Sequence, residues 1–236
     1  TEAYIDRIAG MHAAGFSGIL PVLDNELEFD MLESALEGRI DVGLRIASEE
    51  EPKFEFYTSR LGMGYKHIRR FHEERLAGHP TFNLRMLHFF VNTGIRDTAY
   101  NWNELRKALD VYCALKEKSP DLTALNIGGG LPIKNSLGFE YDYPYMIEAI
   151  LEQIQLHCTE NGVAVPDIFT EFGSFTVGEA GGTLYKVLYQ KRQNDRERWN
   201  LIDSSFMTTL PDTWAINKRF MMLPVNRWMD DYERVF

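Results

Sequence analysis

Leu122-Thr-Ala-Leu-Asn-Ile-Gly-Gly-Gly130 is a short apolar run that passes without a spacer into three glycines. Four to eight such residues bounded by turn formers read as a buried strand. The glycines let the backbone turn sharply and bring its N–H groups close to a ligand. The same grammar recurs on both sides of this stretch. Downstream, residues 145–160 place Ile147, Ile150, Leu151, Ile154 and Cys158 on one helical face, and Asp167-Ile-Phe-Thr170 is the next strand. Upstream, residues 101–117 carry Leu105, Leu109, Tyr112 and Leu115 at steps of 4, 3 and 3, the stripe of an amphipathic helix. Before it stands the strand Arg85-Met-Leu-His-Phe-Phe-Val91, then a charged helix over 65–77, a long loop over 48–63 and the strand Asp41–Ile46. Helices over 26–37 and 2–14 flank a first short apolar run, Gly18–Asp24.

Strands alternating with helices of this length make βαβ units and a parallel sheet. The strand ends are polar or glycine-rich: Asp24-Asn25, Arg45 with Ser48, Asn92-Thr93-Gly94, Gly128–Gly130 and Glu171-Phe172-Gly173-Ser174. In a (β/α)8 barrel those ends build the active site. The expectation is therefore an α/β chain whose residues 1–176 form a partial TIM (β/α)8 barrel, roughly strands 4–8, with the earlier units before Thr1. From about residue 177 the helical stripes stop, and short apolar runs are broken by Pro211 and Pro224. Residues 177–236 are expected to begin a mostly β domain.

The chain has 236 residues, with 25 Lys+Arg against 35 Asp+Glu. That acidic balance disfavours nucleic acid and anionic lipid as partners, because both select clustered positive charge. Two cysteines, Cys113 and Cys158, exclude a disulfide framework and a cysteine-based zinc site; both fall on helix faces and are expected to be buried and inert. No apolar run is long enough to span a membrane. A cytoplasmic setting is the expectation, as is a piece of a longer chain.

Each motif has two readings. Gly128–Gly130 fits neither a Walker loop nor the dinucleotide fingerprint; it is a phosphate nest or a tight strand-to-loop turn. Glu171 could hold a protonated ring nitrogen at the mouth of a barrel, or be a surface acid. Strand alternation puts His88 and Phe90 on one face, for stacking on a flat cofactor or for core packing. His72 and His79 lack metal-site spacing, and Glu49-Glu50-Glu51 reads as a solvated loop.

Together the strings are familiar. Leu125-Asn-Ile-Gly-Gly-Gly-Leu-Pro132, Thr170-Glu-Phe-Gly-Ser174 and Leu87-His-Phe-Phe-Val-Asn-Thr-Gly94 resemble the barrel-end motifs of the fold type III (alanine racemase-like) pyridoxal-phosphate decarboxylases. Ser204-Ser-Phe-Met-Thr-Thr-Leu-Pro-Asp-Thr-Trp-Ala215 and Leu223-Pro-Val-Asn-Arg227 resemble the biosynthetic arginine decarboxylase branch. The likeness runs in register from about residue 17 to the end.

The resemblance implies roles. Gly128, Gly129 and Gly130 would bind the phosphate of pyridoxal 5'-phosphate, with Thr93 where the family has a serine. Glu171 would pair with the ring nitrogen, and Arg45 would support that end of the ring. Gly173 and Ser174 stand in the phosphate-binding string, Ser174 in place of a family arginine. One charge-assisted contact is worth about 1.5–3 kcal/mol. Phe90 stands where the family stacks a histidine, with His88 two residues earlier. The Schiff-base lysine is expected upstream of Thr1 and a Cys/Asp pair, donated across a dimer interface, downstream. The fragment alone is thus expected to be inactive.

The implied function is decarboxylation of a basic amino acid, most of all L-arginine to agmatine for polyamine biosynthesis, by a homodimer or higher homo-oligomer. Rival readings are a decarboxylase of ornithine, diaminopimelate or carboxynorspermidine, and a non-catalytic paralogue that binds a protein partner.

Overall fold

The computed structural model describes residues 1–49, 59–194, 197–215, 217–227 and 229. Glu50 and Glu51 of the acidic run and the charged stretch Asp230–Arg234 lie outside the described residues. The chain forms two compact units, one of Thr1–Pro132 with Asp142–Phe175, the other of Ile133–Tyr141 with Thr176–Phe236.

In the first unit, five strands form one sheet in chain order: β1 (Val22–Leu23), β2 (Ile40–Arg45), β3 (Phe82–His88), β4 (Ala124–Asn126) and β5 (Asp167–Phe169). All four pairings are parallel. The intervening helices are α2 (Glu26–Ala35), α3 (Tyr65–Phe71), α4 (Ala99–Lys118) and α5 (Tyr143–Glu160), with α1 (Glu2–Ala13) ahead of β1. Consecutive strands joined by helices are the repeat of a (β/α)8 barrel, and this arc of it agrees with the expectation. Local chemistry starts the helices. Asn25, Thr98 and Asp142 each accept a backbone N–H of the first turn of α2, α4 and α5. Among the described residues no helix is long and apolar enough to cross a membrane.

Several boundaries differ from expectation. α3 continues into a π turn, His72–Leu76, rather than a regular helix to residue 77. β3 begins at Phe82 and ends at His88, so Phe89, Phe90 and Val91 belong to the following loop. They are apolar because that loop folds inward, the Phe89 N–H donating to the Asn126 carbonyl at 3.0 Å. On α5 the buried line is Met146, Ile150, Ile154 and Cys158, at steps of four; Ile147 and Leu151 are 40% and 46% exposed, so the stripe is narrower than read. Both cysteines are buried.

One irregularity aims the site. The β2–β3 register shifts at Val42/Gly43, leaving Arg85 as an extra residue between Leu84 and Met86. A bulge reverses the alternation of a strand. Phe82 therefore packs on Phe29 of α2, ring centroids 4.8 Å apart, while His88 six residues on faces away from that helix layer. Phe29, Phe71 and Phe82 meet edge to face beneath α2 and α3. Each such buried ring contributes about 1.5–3 kcal/mol.

The second unit holds an antiparallel pair, β6 (Val187–Asn194) and β7 (Glu197–Ile202). The stretch Ser204–Ala215 folds into two single-turn helices, Phe206–Thr209 and Asp212–Ala215, the first capped by the Ser205 hydroxyl. Tyr185 donates to the Thr209 hydroxyl at 2.8 Å.

Candidate active site

Parallel register lines up the functional residues. Arg45 on β2 pairs with His88 on β3, and His88 with Asn126 on β4. Residues level in a parallel sheet point to the same face, so these three form a row on the face opposite α2 and α3. The next strand pairs Phe169 with Asn126, and Glu171 follows two residues later.

Glu171 is the anion of the row. Its Oε1 accepts a hydrogen bond from the Asn126 side-chain amide at 2.9 Å. The same oxygen lies 3.5 Å from His88 Nε2, which makes no hydrogen bond among the described residues. His88 and Glu171 are thus in electrostatic contact only. Burial holds His88 below the ordinary histidine range; Glu171 opposes this and Arg45 reinforces it. His88 is therefore neutral at pH 7. Arg45 Nε is also buried without a partner among the described residues. Two orphaned polar atoms and a half-exposed carboxylate on one face are groups prepared for something polar.

The glycine turn lies beside them, and both of its readings hold. A Cβ on Gly128, whose φ is +69°, would stand 2.9 Å from the Phe89 carbonyl oxygen; one on Gly129 would stand 2.6 Å from that of Glu171; one on Gly130, 2.9 Å from Gly94 Cα. The turn is wedged between two neighbouring loops, and only glycine fits. Gly128 N–H donates to Asn126 Oδ1 at 2.8 Å, whereas the N–H groups of Gly129 and Gly130 find no acceptor among the described residues. Two adjacent free N–H donors suit an anion.

Around this centre, Phe90 is half-buried against Gly128, its carbonyl accepting from the Ser48 hydroxyl at 2.7 Å. Thr93 precedes Gly94, whose loop is tied to the turn by Ile95 N–H on the Gly130 carbonyl at 2.9 Å. Gly173 N–H bonds the Glu171 carbonyl at 2.7 Å, and Ser174 is exposed beyond it on the short helix Gly173–Val177. So Arg45, His88, Glu171, Phe90 and the glycines gather at one end of the sheet, with Thr93 and Ser174 on its rim.

Three residues have roles that the sequence reading does not give them. Asn126 sits inside the quoted glycine string, and strand parity with His88 and Arg45 is the signal that marks it. Asp24 at the end of β1 accepts the N–H of Gly62 at 2.7 Å, just ahead of α3. Glu49 is exposed, as expected of a solvated loop, and also has partners. Its N–H donates at 3.0 Å to Glu104, a buried carboxylate that also accepts from the Tyr65 hydroxyl at 2.6 Å and Lys107 at 3.0 Å, and Lys107 bridges to the Glu49 carboxylate. Burial pushes the Tyr65 phenol up, and its bond to Glu104 pushes it further. The histidines at 72 and 79 part company, one to Ser119 at 2.7 Å and the other to Glu33 at 2.9 Å.

Comparison with known proteins places this geometry. Residues 10–178 match the family model described as pyridoxal-dependent decarboxylase, pyridoxal binding domain. A diaminopimelate decarboxylase of Staphylococcus aureus is 26% identical over 220 residues, 87% of this chain and 50% of the relative. A biosynthetic arginine decarboxylase of Prochlorococcus marinus is 26% identical over 137 residues, 55% of this chain and 21% of the relative. The crystal structure of a lysine decarboxylase from Selenomonas ruminantium superposes with a TM-score of 0.68 at 22% identity, covering 89% of this chain and 52% of that one. The chain thus spans about half or less of the length of these relatives.

Proposed function

Because the chain belongs to the pyridoxal-dependent decarboxylases, we propose that it carries the cofactor site of an enzyme that releases CO2 from a basic amino acid, L-arginine foremost, with agmatine as product. The observation that carries the reading is Glu171, fixed by Asn126 beside a glycine turn with two N–H groups that have no acceptor among the described residues. The residues fit the cofactor. Gly129 and Gly130 would receive its phosphate through their N–H groups, with the Thr93 and Ser174 hydroxyls on the rim. Glu171 would face the pyridine nitrogen and hold a proton there, since a nearby carboxylate stabilises the protonated form of a base. The neutral His88 beside it supplies no competing positive charge. Arg45 would balance Glu171 at the same end, and Phe90 would form an apolar wall. When bound, the cofactor supplies a ring that takes up the electron pair left by a departing carboxylate.

Arginine as substrate is supported by the Ser204–Ala215 and Leu223–Arg227 strings, which resemble that branch. A second reading, diaminopimelate or lysine, is supported by the longer alignment to a diaminopimelate decarboxylase. The test is CO2 release from carboxyl-labelled L-arginine, L-lysine, L-ornithine and meso-diaminopimelate by the native protein with pyridoxal phosphate. The expected result is a kcat/KM for arginine at least about tenfold above the others, a gap of about 1.4 kcal/mol in transition-state binding. A higher value for diaminopimelate or lysine would reassign the substrate. No CO2 from any of the four, together with no binding of the cofactor, would favour the non-catalytic paralogue.

A further inference from the structure

We propose that Asn126 is a positioning residue that locks the two arms of the cofactor site, the Glu171 carboxylate and the glycine turn, into one rigid unit. The inference rests on the cofactor reading above but assigns a role that the family match does not. Three hydrogen bonds close a ring. Asn126 Nδ2 donates to Glu171 Oε1 at 2.9 Å, Glu171 N–H donates to the Gly128 carbonyl at 2.9 Å, and Gly128 N–H donates to Asn126 Oδ1 at 2.8 Å. The backbone member of this ring sets strand-end spacing. The other two pass through one carboxamide.

The chemistry of the partners dictates that residue type. An ionised carboxylate only accepts and a backbone N–H only donates. The side chain between them must therefore offer a donor on one side and an acceptor on the other. This also fixes which end of the Asn126 amide is nitrogen. An aspartate would keep the acceptor for Gly128 but face Glu171 with a like charge. A leucine would keep neither.

Glu171 needs such a partner. Its residue is half-exposed, and among the described residues no other group hydrogen-bonds its carboxylate, His88 being in electrostatic contact only. Without Asn126 the carboxylate is free to turn into solvent. Asn126 is itself buried and level with Arg45 and His88, so its own orientation is set by the sheet. The Asn126 acceptor likewise orients the Gly128 peptide, from which the two free N–H donors follow directly. The two arms are thus aimed by one side chain.

The test separates the arms with three probes: pyridoxine for the ring arm, inorganic phosphate for the other, and pyridoxine 5'-phosphate for both. None carries an aldehyde, so reaction with surface lysines does not intrude. N126D should lower pyridoxine affinity about tenfold, the loss expected when a hydrogen bond to a charged group is removed, and leave phosphate affinity within about threefold. N126L should lower both by about tenfold. In an E171Q background, N126D should have little further effect on pyridoxine, because Asn126 acts on the ring through Glu171. If N126L does not fold, N126D and the cycle with E171Q decide alone. Unchanged pyridoxine affinity in N126D overturns the proposal, and so do equal losses for all three probes in N126D that track its melting temperature. Failure of the wild-type protein to bind pyridoxine 5'-phosphate or phosphate would instead overturn the cofactor reading itself.

Discussion

Substituting Gly128 by alanine puts the site's most constrained backbone to a quantitative test. At φ +69° an L-residue meets the left-handed penalty, about 1–2 kcal/mol. The added Cβ would stand 2.8 Å from Phe90 Cδ2, 2.9 Å from the Phe89 carbonyl oxygen and 3.2 Å from Phe90 Cα. The ring can swing aside, but the two backbone atoms belong to a loop held by Phe89 N–H on Asn126 and by Ser48 on Phe90. Overpacking against such atoms costs about 1–3 kcal/mol. The sum is about 2–5 kcal/mol. For a chain of this size that lowers the melting temperature by roughly 4–20 °C. The control is Gly10→Ala, in the middle of α1 with nothing within 4 Å of the new methyl. It should gain about 1 kcal/mol from helix propensity and melt roughly 2–4 °C higher. Thermal unfolding followed by circular dichroism reads both. A G128A protein that melts within about 2 °C of wild type would refute the claim that neighbouring loops demand glycine here.

Two further outcomes follow from buried titratable groups. Burial first, with Lys118 adding and Glu73 opposing, holds His72 below its ordinary pKa of 6.5. The unfolded chain therefore binds the extra proton, so stability is full above pH 6.5 and falls as pH drops below it, by at most about 1.4 kcal/mol per pH unit. Melting temperature should decline more steeply from pH 7 to 5.5 in wild type than in H72Q, which keeps a hydrogen-bonding group for Ser119; equal slopes would show that His72 takes its proton in the folded state. Burial, then the neighbouring Cys158, pushes the Cys113 thiol up to about 12. Alkylation by iodoacetamide at pH 8 should be slow in the native protein and fast in urea, and fast native labelling would contradict the packing of α4 on α5.

The sheet is legible in the chain because each strand is an apolar run closed by polar or glycine residues, and its parallel order follows from the helices between. What the runs conceal is where pairing stops. Phe89-Phe90-Val91 is as apolar as a strand, yet those residues serve a loop that folds over the glycine turn. The Arg85 bulge is equally invisible, since it depends on pairing with β2 rather than on composition. Glu171 and Gly128–Gly130 were readable as candidates from their positions after strands. Asn126 was not, because one polar residue at the end of an apolar run has many explanations until its level neighbours are known. Glu104 is hidden for the opposite reason: an acid on an amphipathic helix looks solvated, and only the distant donors Glu49 and Tyr65, with Lys107 one turn along the same helix, make its burial tolerable.

The level row of Arg45, His88 and Asn126, completed by Glu171, has a kinetic side. Each member comes from a different strand–helix unit, and the bonds in and around the row close long stretches of chain: 45 residues between Asn126 and Glu171 within it, and, beside it, 42 between Ser48 and Phe90 and 55 between Glu49 and Glu104. Such non-local contacts are reached only after large loops have been closed, which slows folding. Helices can form within their own segments, but the Asn126–Glu171 bond requires β5 to have docked in register. A strand slipped by one residue would keep its helix and turn its functional side chain to the wrong face. Ligand binding here is therefore a stricter clock for completion of the sheet than helical signal, and in a refolding experiment it should be the last property to return.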